Sequence, residues 1–211
     1  MEIFIKSTDP LLHYNNDDVV LDVGCGPCFL AEFLKDRVKE IHCVDISDSY
    51  IGICRRKFAQ HRNVFFYNLH KDNYTDLSIL KTRKFSIIVC LSVIQYYRSV
   101  DEVGLLIEEV RRLSVPGAKF LIADIPTTNG AFLDMWSILK SSLKENYFLE
   151  TIRHLFKNTI STYHRVLCSS GLLVFSNGSL EDLIRKHDLD AQIISTPMTP
   201  LENRQHLLIR L

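Results

Sequence analysis

Two carboxylates stand where short apolar runs stop. Asp22 sits in Val19-Val20-Leu21-Asp22-Val23, which leads into Gly24-Cys25-Gly26-Pro27-Cys28, and Asp45 ends the next apolar run ahead of Ile46 and Ser47. A glycine turn lets backbone approach a ligand, and a second acid about 20 residues on reaches a ribose hydroxyl pair, so the pattern describes a nucleoside pocket. A dinucleotide fingerprint needs a third glycine for close helix packing, and here that place holds Phe29. Asp22 would also repel a pyrophosphate seated at a helix N-terminus. It favours a cationic ligand such as a sulfonium or an amino-acid ammonium.

One acid near a cation and one near a ribose fit S-adenosylmethionine better than NAD or ATP. A competing chemistry lies in the same loop. Cys25-Gly26-Pro27-Cys28 is also the dithiol sequence of thioredoxin, and a helix N-terminus lowers a thiol pKa. Against a thiol–disulfide oxidoreductase stand Gly24, where thioredoxin has tryptophan, a chain about twice a thioredoxin domain in length, and the unexplained Asp45. No second Cys/His pair is evident for zinc, so no metal is expected. The six cysteines are irregularly spaced and mostly in apolar runs. They read as reduced and buried rather than as a disulfide framework.

The elements that must position these groups alternate between β-rich and helical patterns, which predicts a parallel sheet with crossover helices. Strands are expected at Val19–Val23, 41–44, 64–67, Phe85–Leu91 and 119–123, with a closing antiparallel pair at 191–195 and 206–211. Ser47 is the expected N-cap of a helix reaching about residue 60. Ser99 opens a second helix in a capping-box pattern, with Val103, Leu106, Ile107, Val110 and Leu113 inward and Pro116-Gly117 as its stop. Ser179 and Asp182 repeat that signature before a helix to about residue 187. Residues 127–178 break the alternation, being too many for a bare connection in a compact domain. Apolar stripes through Phe132, Met135, Trp136, Leu139 and Leu143, and through Phe148, Ile152, Leu155 and Phe156, predict a helical insertion that covers the strands' C-terminal ends as a substrate lid.

The whole chain sets the outer limits. Its 211 residues suit one domain, residues 1–211. Lys plus Arg and Asp plus Glu number 25 each, and no basic block argues for nucleic acid. The longest apolar stretch, residues 87–94, is far too short for a membrane span. The N-terminus lacks a signal-peptide core, so a cytoplasmic protein is expected. Nothing in the sequence fixes the oligomeric state.

With these residues in place, the chain resembles the class I S-adenosylmethionine-dependent methyltransferases from about Val19 to the C-terminus. Leu21-Asp22-Val23-Gly24-Cys25-Gly26-Pro27 resembles the family's first motif, and Val44-Asp45-Ile46-Ser47 its ribose-binding segment. Phe85 to Tyr96 is similar to the fourth motif, and Val110 to Asp124 to the helix, Pro-Gly turn and fifth strand. The resemblance implies an α/β, Rossmann-like, doubly wound sheet of seven strands with the last antiparallel. It implies S-adenosylmethionine as cofactor, held by Asp22, Gly24, Cys25, Gly26, Asp45 and Ile46, with Ile46 on the adenine. Leu91 and Ser92 would meet the methionine part. The adenine amino group is expected at Asn68-Leu69-His70, with Asn68 and His70 as alternatives. Cys28 replaces a small residue and is expected to narrow the pocket or shift the loop, and Ser86 replaces a common aspartate.

Methyl transfer needs alignment and exclusion of water, and a hydroxyl acceptor also needs a base. The candidates are His164, His154 and Asp124, with Tyr96 and Tyr163 to orient a substrate. Neutral charge and an aromatic-rich insertion point to a small-molecule acceptor, methylated on a hydroxyl or an amine. A catalytically inactive methyltransferase-like binding or scaffolding subunit is the alternative.

Overall fold

The computed structural model describes residues 1–127, 172–176, 178–201 and 203–211. Most of the expected insertion, including both of its apolar stripes, His154, Tyr163 and His164, lies outside the described residues.

Seven strands form one sheet in the order β3-β2-β1-β4-β5-β7-β6. They are β1 (Val19–Val23), β2 (Glu40–Asp45), β3 (Val64–Asn68), β4 (Phe85–Leu91), β5 (Ser114–Pro126), β6 (Asp190–Ile194) and β7 (Arg204–Arg210). The neighbours from β3 to β5 run parallel, and β7 is antiparallel to both β5 and β6. The expected doubly wound fold is therefore present. Its strand order reverses between β1 and β4, and the crevice outside the strand ends at such a reversal is where open α/β sheets take ligands.

Alternation along the strands divides the core in two. Leu21, Val23, Ile88 and Cys90 join one apolar cluster, while Val20, Ile87 and Val89 join the other. The first cluster is covered by α4 (Val100–Leu113) and α5 (Ser179–Lys186), which bury Leu106, Ile107, Val110, Leu180 and Leu183. The second is covered by α1 (Glu2–Leu12), α2 (Phe29–Leu34) and α3 (Asp48–Lys57). Strands covered on both faces read as nearly continuous apolar runs, which is why β1 and β4 were visible from the sequence.

Capping follows the residue types. The Ser47 side chain accepts the Tyr50 N–H and the Ser99 side chain accepts the Glu102 N–H, both at 3.3 Å. Three details differ from the sequence expectation. The helix α4 stops at Leu113 and passes directly into β5, so Pro116-Gly117 lies within the irregular start of that strand. The N-cap of α5 is Gly178, whose carbonyl accepts the Asp182 N–H at 2.9 Å, while Ser179 Oγ bonds Ser176 Oγ instead. The helix α1 was not among the expected elements. Its buried residues Phe4, Ile5, Thr8 and Leu12 nevertheless keep one helical face. No helix among the described residues is long and apolar enough to cross a membrane.

Candidate functional site

At the C-terminal edge of β1 and β4 the chain makes a cavity of about 160 Å³. It is lined by Asp22, Gly24, Cys25, Gly26, Leu91 and Ser92, all expected site residues, and by Met1, Pro27, Phe29 and Leu30. Met1 arrives there through α1, the element whose amphipathic signal had been overlooked. A wider concavity of about 570 Å³ lies at the opposite, N-terminal edge among Lys6, Asp9, Pro10, His13, Tyr14 and Arg37. It is the more open of the two and holds none of the expected groups.

The glycines are required by geometry. Gly24 has φ +73°, and a Cβ there would meet Val93 Cγ2 at 2.3 Å; Gly26 has φ +50° with open space around it. The Gly24 and Cys25 amides donate to Val44 O at 2.8 and 3.0 Å, which closes the loop onto β2. Asp45 accepts the Gly26 N–H at 2.9 Å through Oδ2 and the Ser47 N–H at 2.8 Å through Oδ1. The second acid thus grips the glycine loop and starts α3 at once.

Asp22 and Asp45 are both buried, at 4% and 2% exposure. Burial first, and the neighbouring Asp45 charge second, push the Asp22 carboxyl up to about 7. A buried like-charge pair is relieved by a cation. That chemistry suits a cation such as a sulfonium or an ammonium. On the nucleoside side, Ile46 is half-buried against the core, Asn68 Nδ2 donates to Asp45 O at 3.3 Å, and the Leu69 N–H donates to the same carbonyl at 2.8 Å. His70 is exposed and lies beside Asp72. Of the two adenine candidates, Asn68 is the one attached to the cradle.

A second polar group adjoins the first. The register between β5 and β7 slips by one residue between Ile122 and Ile125, making a bulge at Ala123-Asp124. Bulges re-aim side chains and gather beside active sites. Asp124 adopts φ +65° and Ser92, across the β4–β5 junction, φ +58°. Ser92 Oγ donates to Asp124 Oδ2 at 2.5 Å, and Thr199 Oγ1 to Oδ1 at 3.0 Å. The Asp124 N–H donates to His206 Nδ1 at 3.1 Å, and burial lowers the His206 pKa below its ordinary value, which keeps that nitrogen an acceptor. Arg204 Nε lies 3.7 Å from Asp124 Oδ1, and its Nη1 reaches Gln95 Oε1 at 3.3 Å. Non-glycine residues in the left-handed region cost roughly 1–3 kcal/mol each and cluster at functional sites. Among the described residues there are five, and the two outside this edge, His13 and Asp188, merely close helices. Tyr96, in the single turn Ile94–Tyr96, feels the charges of Asp124 and Arg204 and belongs to this group. Sequence reasoning found Asp124, Ser92 and Tyr96 but missed Thr199, Arg204 and His206.

Residues 20–117 match the family model of a methyltransferase domain, and the seven-strand order extends the correspondence to the C-terminus. Over those residues the chain is similar to the methyltransferase domain family, and its seven-strand fold is the one expected of a class I S-adenosylmethionine-dependent methyltransferase. A curated relative, chondramide synthase cmdD of Chondromyces crocatus, is 28% identical over 137 residues, which are 64% of this chain and 3% of that protein. The chain therefore spans only a small part of that relative's length. Among solved structures, a S-adenosylmethionine-dependent methyltransferase from Clostridium acetobutylicum is 15% identical, with a TM-score of 0.63 over 99% of this chain and 89% of that one. Magnesium protoporphyrin IX methyltransferase from Synechocystis, solved with bound SAH, is 18% identical, with a TM-score of 0.59 over 99% and 80%. At those identities the likeness is one of fold.

Two departures from the family pattern resolve here. Ser86 sits far from the cavity: its Oγ donates to Asp18 Oδ1 at 2.7 Å and accepts the Val19 N–H at 3.1 Å, tying β4 to the start of β1. Cys28 does not narrow the pocket. It is fully buried, faces away from the cavity and forms a disulfide with Cys54 of α3. The expectation that all cysteines are reduced is corrected accordingly, since spacing along the chain cannot show that α3 lays Cys54 on Cys28. Cys43 also joins the cluster: the sulfurs of Cys25, Cys28 and Cys43 lie within 4.8 Å of one another. The sequence had suggested no partner for the Cys25/Cys28 pair, and the fold supplies two.

Proposed function

We propose that this chain is a cytoplasmic S-adenosylmethionine-dependent methyltransferase that methylates a hydroxyl or amine of a small molecule. The observation that carries the reading is the Ser92–Asp124 pair. Two left-handed residues are bonded to each other at the ends of adjacent strands, and one of them lines the cofactor cavity. Bound cofactor supplies a sulfonium whose methyl group transfers by in-line displacement at carbon, so alignment and exclusion of water carry much of the rate.

The chain's residues then divide the work. Asp22 meets the positive end of the cofactor, Asp45 meets the ribose, Ile46 packs on the adenine, and Leu91-Ser92 border the methionine part. Asp124, held by Ser92 and Thr199, takes the proton of an acceptor hydroxyl; a neutral amine needs no such base. Tyr96 orients the acceptor. His164 stays a second candidate for the base on its sequence position alone.

The test is an acceptor screen that follows release of S-adenosylhomocysteine from small hydroxyl and amine compounds. Asp124→Asn is expected to lower turnover of a hydroxyl acceptor by about 10²-fold, the usual span of general-base catalysis, and to spare an amine. Equal loss on both classes would remove Asp124 as the base. Bound cofactor with no turnover of any acceptor would favour the inactive scaffold.

A further inference from the structure

Four of the six cysteines meet in one place. Cys25 comes from the glycine loop, Cys28 from the N-cap of α2, Cys43 from the middle of β2 and Cys54 from α3, and all four belong to the same apolar cluster. Chain order separates them, and only the fold makes them neighbours. The Cys28–Cys54 disulfide spans 26 residues and joins the far end of the glycine loop to the helix that follows Asp45. Both of its sulfurs lie near Gly26 O, that of Cys28 at 3.8 Å. Cys54 Sγ is 3.4 Å from Gly26 O, while the Gly26 N–H is held by Asp45. The crosslink thus lies against the carbonyl of the residue whose N–H Asp45 accepts.

Cys25 completes the arrangement. Its sulfur is 3.8 Å from that of Cys28, and Cys25 alone of the four lines the cavity. It is 7% exposed, whereas Cys28, Cys43 and Cys54 are 0% exposed. A hydrogen bond with Cys43, burial, and the Asp22 and Asp45 carboxylates all hold the Cys25 thiol protonated. Exchange through a protonated thiol is slow, because the thiolate is the attacking species. A thiophilic metal on the same sulfurs would need Cys28 as a free thiolate, so metal and disulfide exclude each other.

We propose that these four cysteines form a thiol–disulfide site beneath the glycine loop, in which the Cys28–Cys54 bond holds the loop ready for cofactor and Cys25 is the thiol through which that bond is opened. Readiness for cofactor rests on the methyltransferase reading. Opening takes two balanced steps. Cys25 Sγ bonds to Cys28 Sγ as the Cys28–Cys54 bond breaks, and the Cys25 proton ends on Cys54, with no net change in oxidation state. A small dithiol entering by the cavity then gives two electrons and two protons to the Cys25–Cys28 bond and leaves as its own disulfide.

The test pairs a cofactor-free readout with a cofactor readout on the full chain. Protein treated with diamide or with dithiothreitol is alkylated and mapped by peptide mass, and the same samples are titrated with S-adenosylmethionine. The map should show Cys28 linked to Cys54 after oxidation, and Cys25→Ser should slow its reduction by at least about tenfold, since the nearest thiol is gone. Reduction should weaken S-adenosylmethionine about tenfold through lost loop preorganisation. Cys54→Ser and Cys54→Ala should show the weak affinity with and without reductant. Failure of the Cys28–Cys54 link to form, stoichiometric zinc in its place, or an unchanged affinity after verified reduction would overturn the proposal. If neither form binds S-adenosylmethionine, the cofactor reading and the coupling fall together, and the peptide map distinguishes that failure from a failure of the disulfide chemistry.

Discussion

The two halves of the strand edge solve the same problem with different materials. On the β1–β2 side, left-handed backbone is carried by Gly24, Gly26 and Cys28, and Asp45 bonds main-chain amides 2 and 19 residues away. On the β4–β5–β7 side it is carried by Ser92 and Asp124, and the site is assembled from side chains 32, 75 and 82 residues apart. A glycine turn is a local device, and on our proposal it serves the cofactor. The bulge and its polar network are long-range devices. Strain at non-glycine positions persists only where surrounding contacts over-determine it, and this is the half we propose to be adapted to one acceptor.

The comparison can be broken at either half. The largest effect is expected at Gly24. Gly24→Val places carbon against Val93 and forces a branched residue to φ +73°, and S-adenosylmethionine binding should weaken by more than about 100-fold, as a clash and left-handed strain add. Calorimetry measures it, and wild-type affinity in this variant would show that the loop does not hold cofactor. Next comes the dissociation of the two halves. Asp124→Asn should lose about 100-fold in turnover of a hydroxyl acceptor while its cofactor affinity falls by less than about tenfold, because the change reaches the cofactor cavity only through the Ser92 hydrogen bond. A parallel loss of cofactor binding would merge the halves into one site.

Asp22 sharpens the cofactor half through pH. Its carboxyl is raised to about 7 in the free protein, so the folded state binds its proton more tightly than the unfolded chain does. That stabilisation is fully present below the ordinary carboxylate range and is lost as pH rises through 7. Cofactor binding has the opposite slope, because a cation pairs with the ionised form. From pH 6 to pH 8 the affinity should improve by about tenfold, the change in the ionised fraction around pH 7, with proton release on binding in the lower range. Asp22→Asn should flatten both slopes in titrations and thermal melts.

The smallest effect concerns support of the bulge. His206→Ala leaves the buried Asp124 N–H without its acceptor and should cost about 1–3 kcal/mol of stability, the penalty for an unsatisfied buried donor. Chemical denaturation gives that number, and an unchanged midpoint would mean that the bulge holds without the imidazole.

Legibility follows the same division. Both strand and loop at Val19 to Cys28 were readable because an apolar run, an acid and two glycines state their geometry within ten residues or so. The helix α4 was readable from its inward face and its Ser99 cap. Asp124 was visible as a residue at a strand end, but its bulge was not, because the slip depends on pairing with β7. Thr199, Arg204 and His206 carried no local signal of any kind. The helix α1 did carry one, in the helical spacing of Phe4, Ile5, Thr8 and Leu12. Cys54 shows the limit most clearly: nothing in residues 48–57 says that one sulfur will meet the glycine loop.

The measurement that bears most directly on the central claim is calorimetric titration of the purified protein with S-adenosylmethionine and S-adenosylhomocysteine, run beside Asp45→Ala. The account predicts micromolar binding of both ligands to the wild type and a loss of tenfold or more in the variant, the worth of about one charge-assisted hydrogen bond. No binding to the wild type, or equal binding by the variant, would contradict the assignment of Asp45 and the glycine loop as the cofactor site.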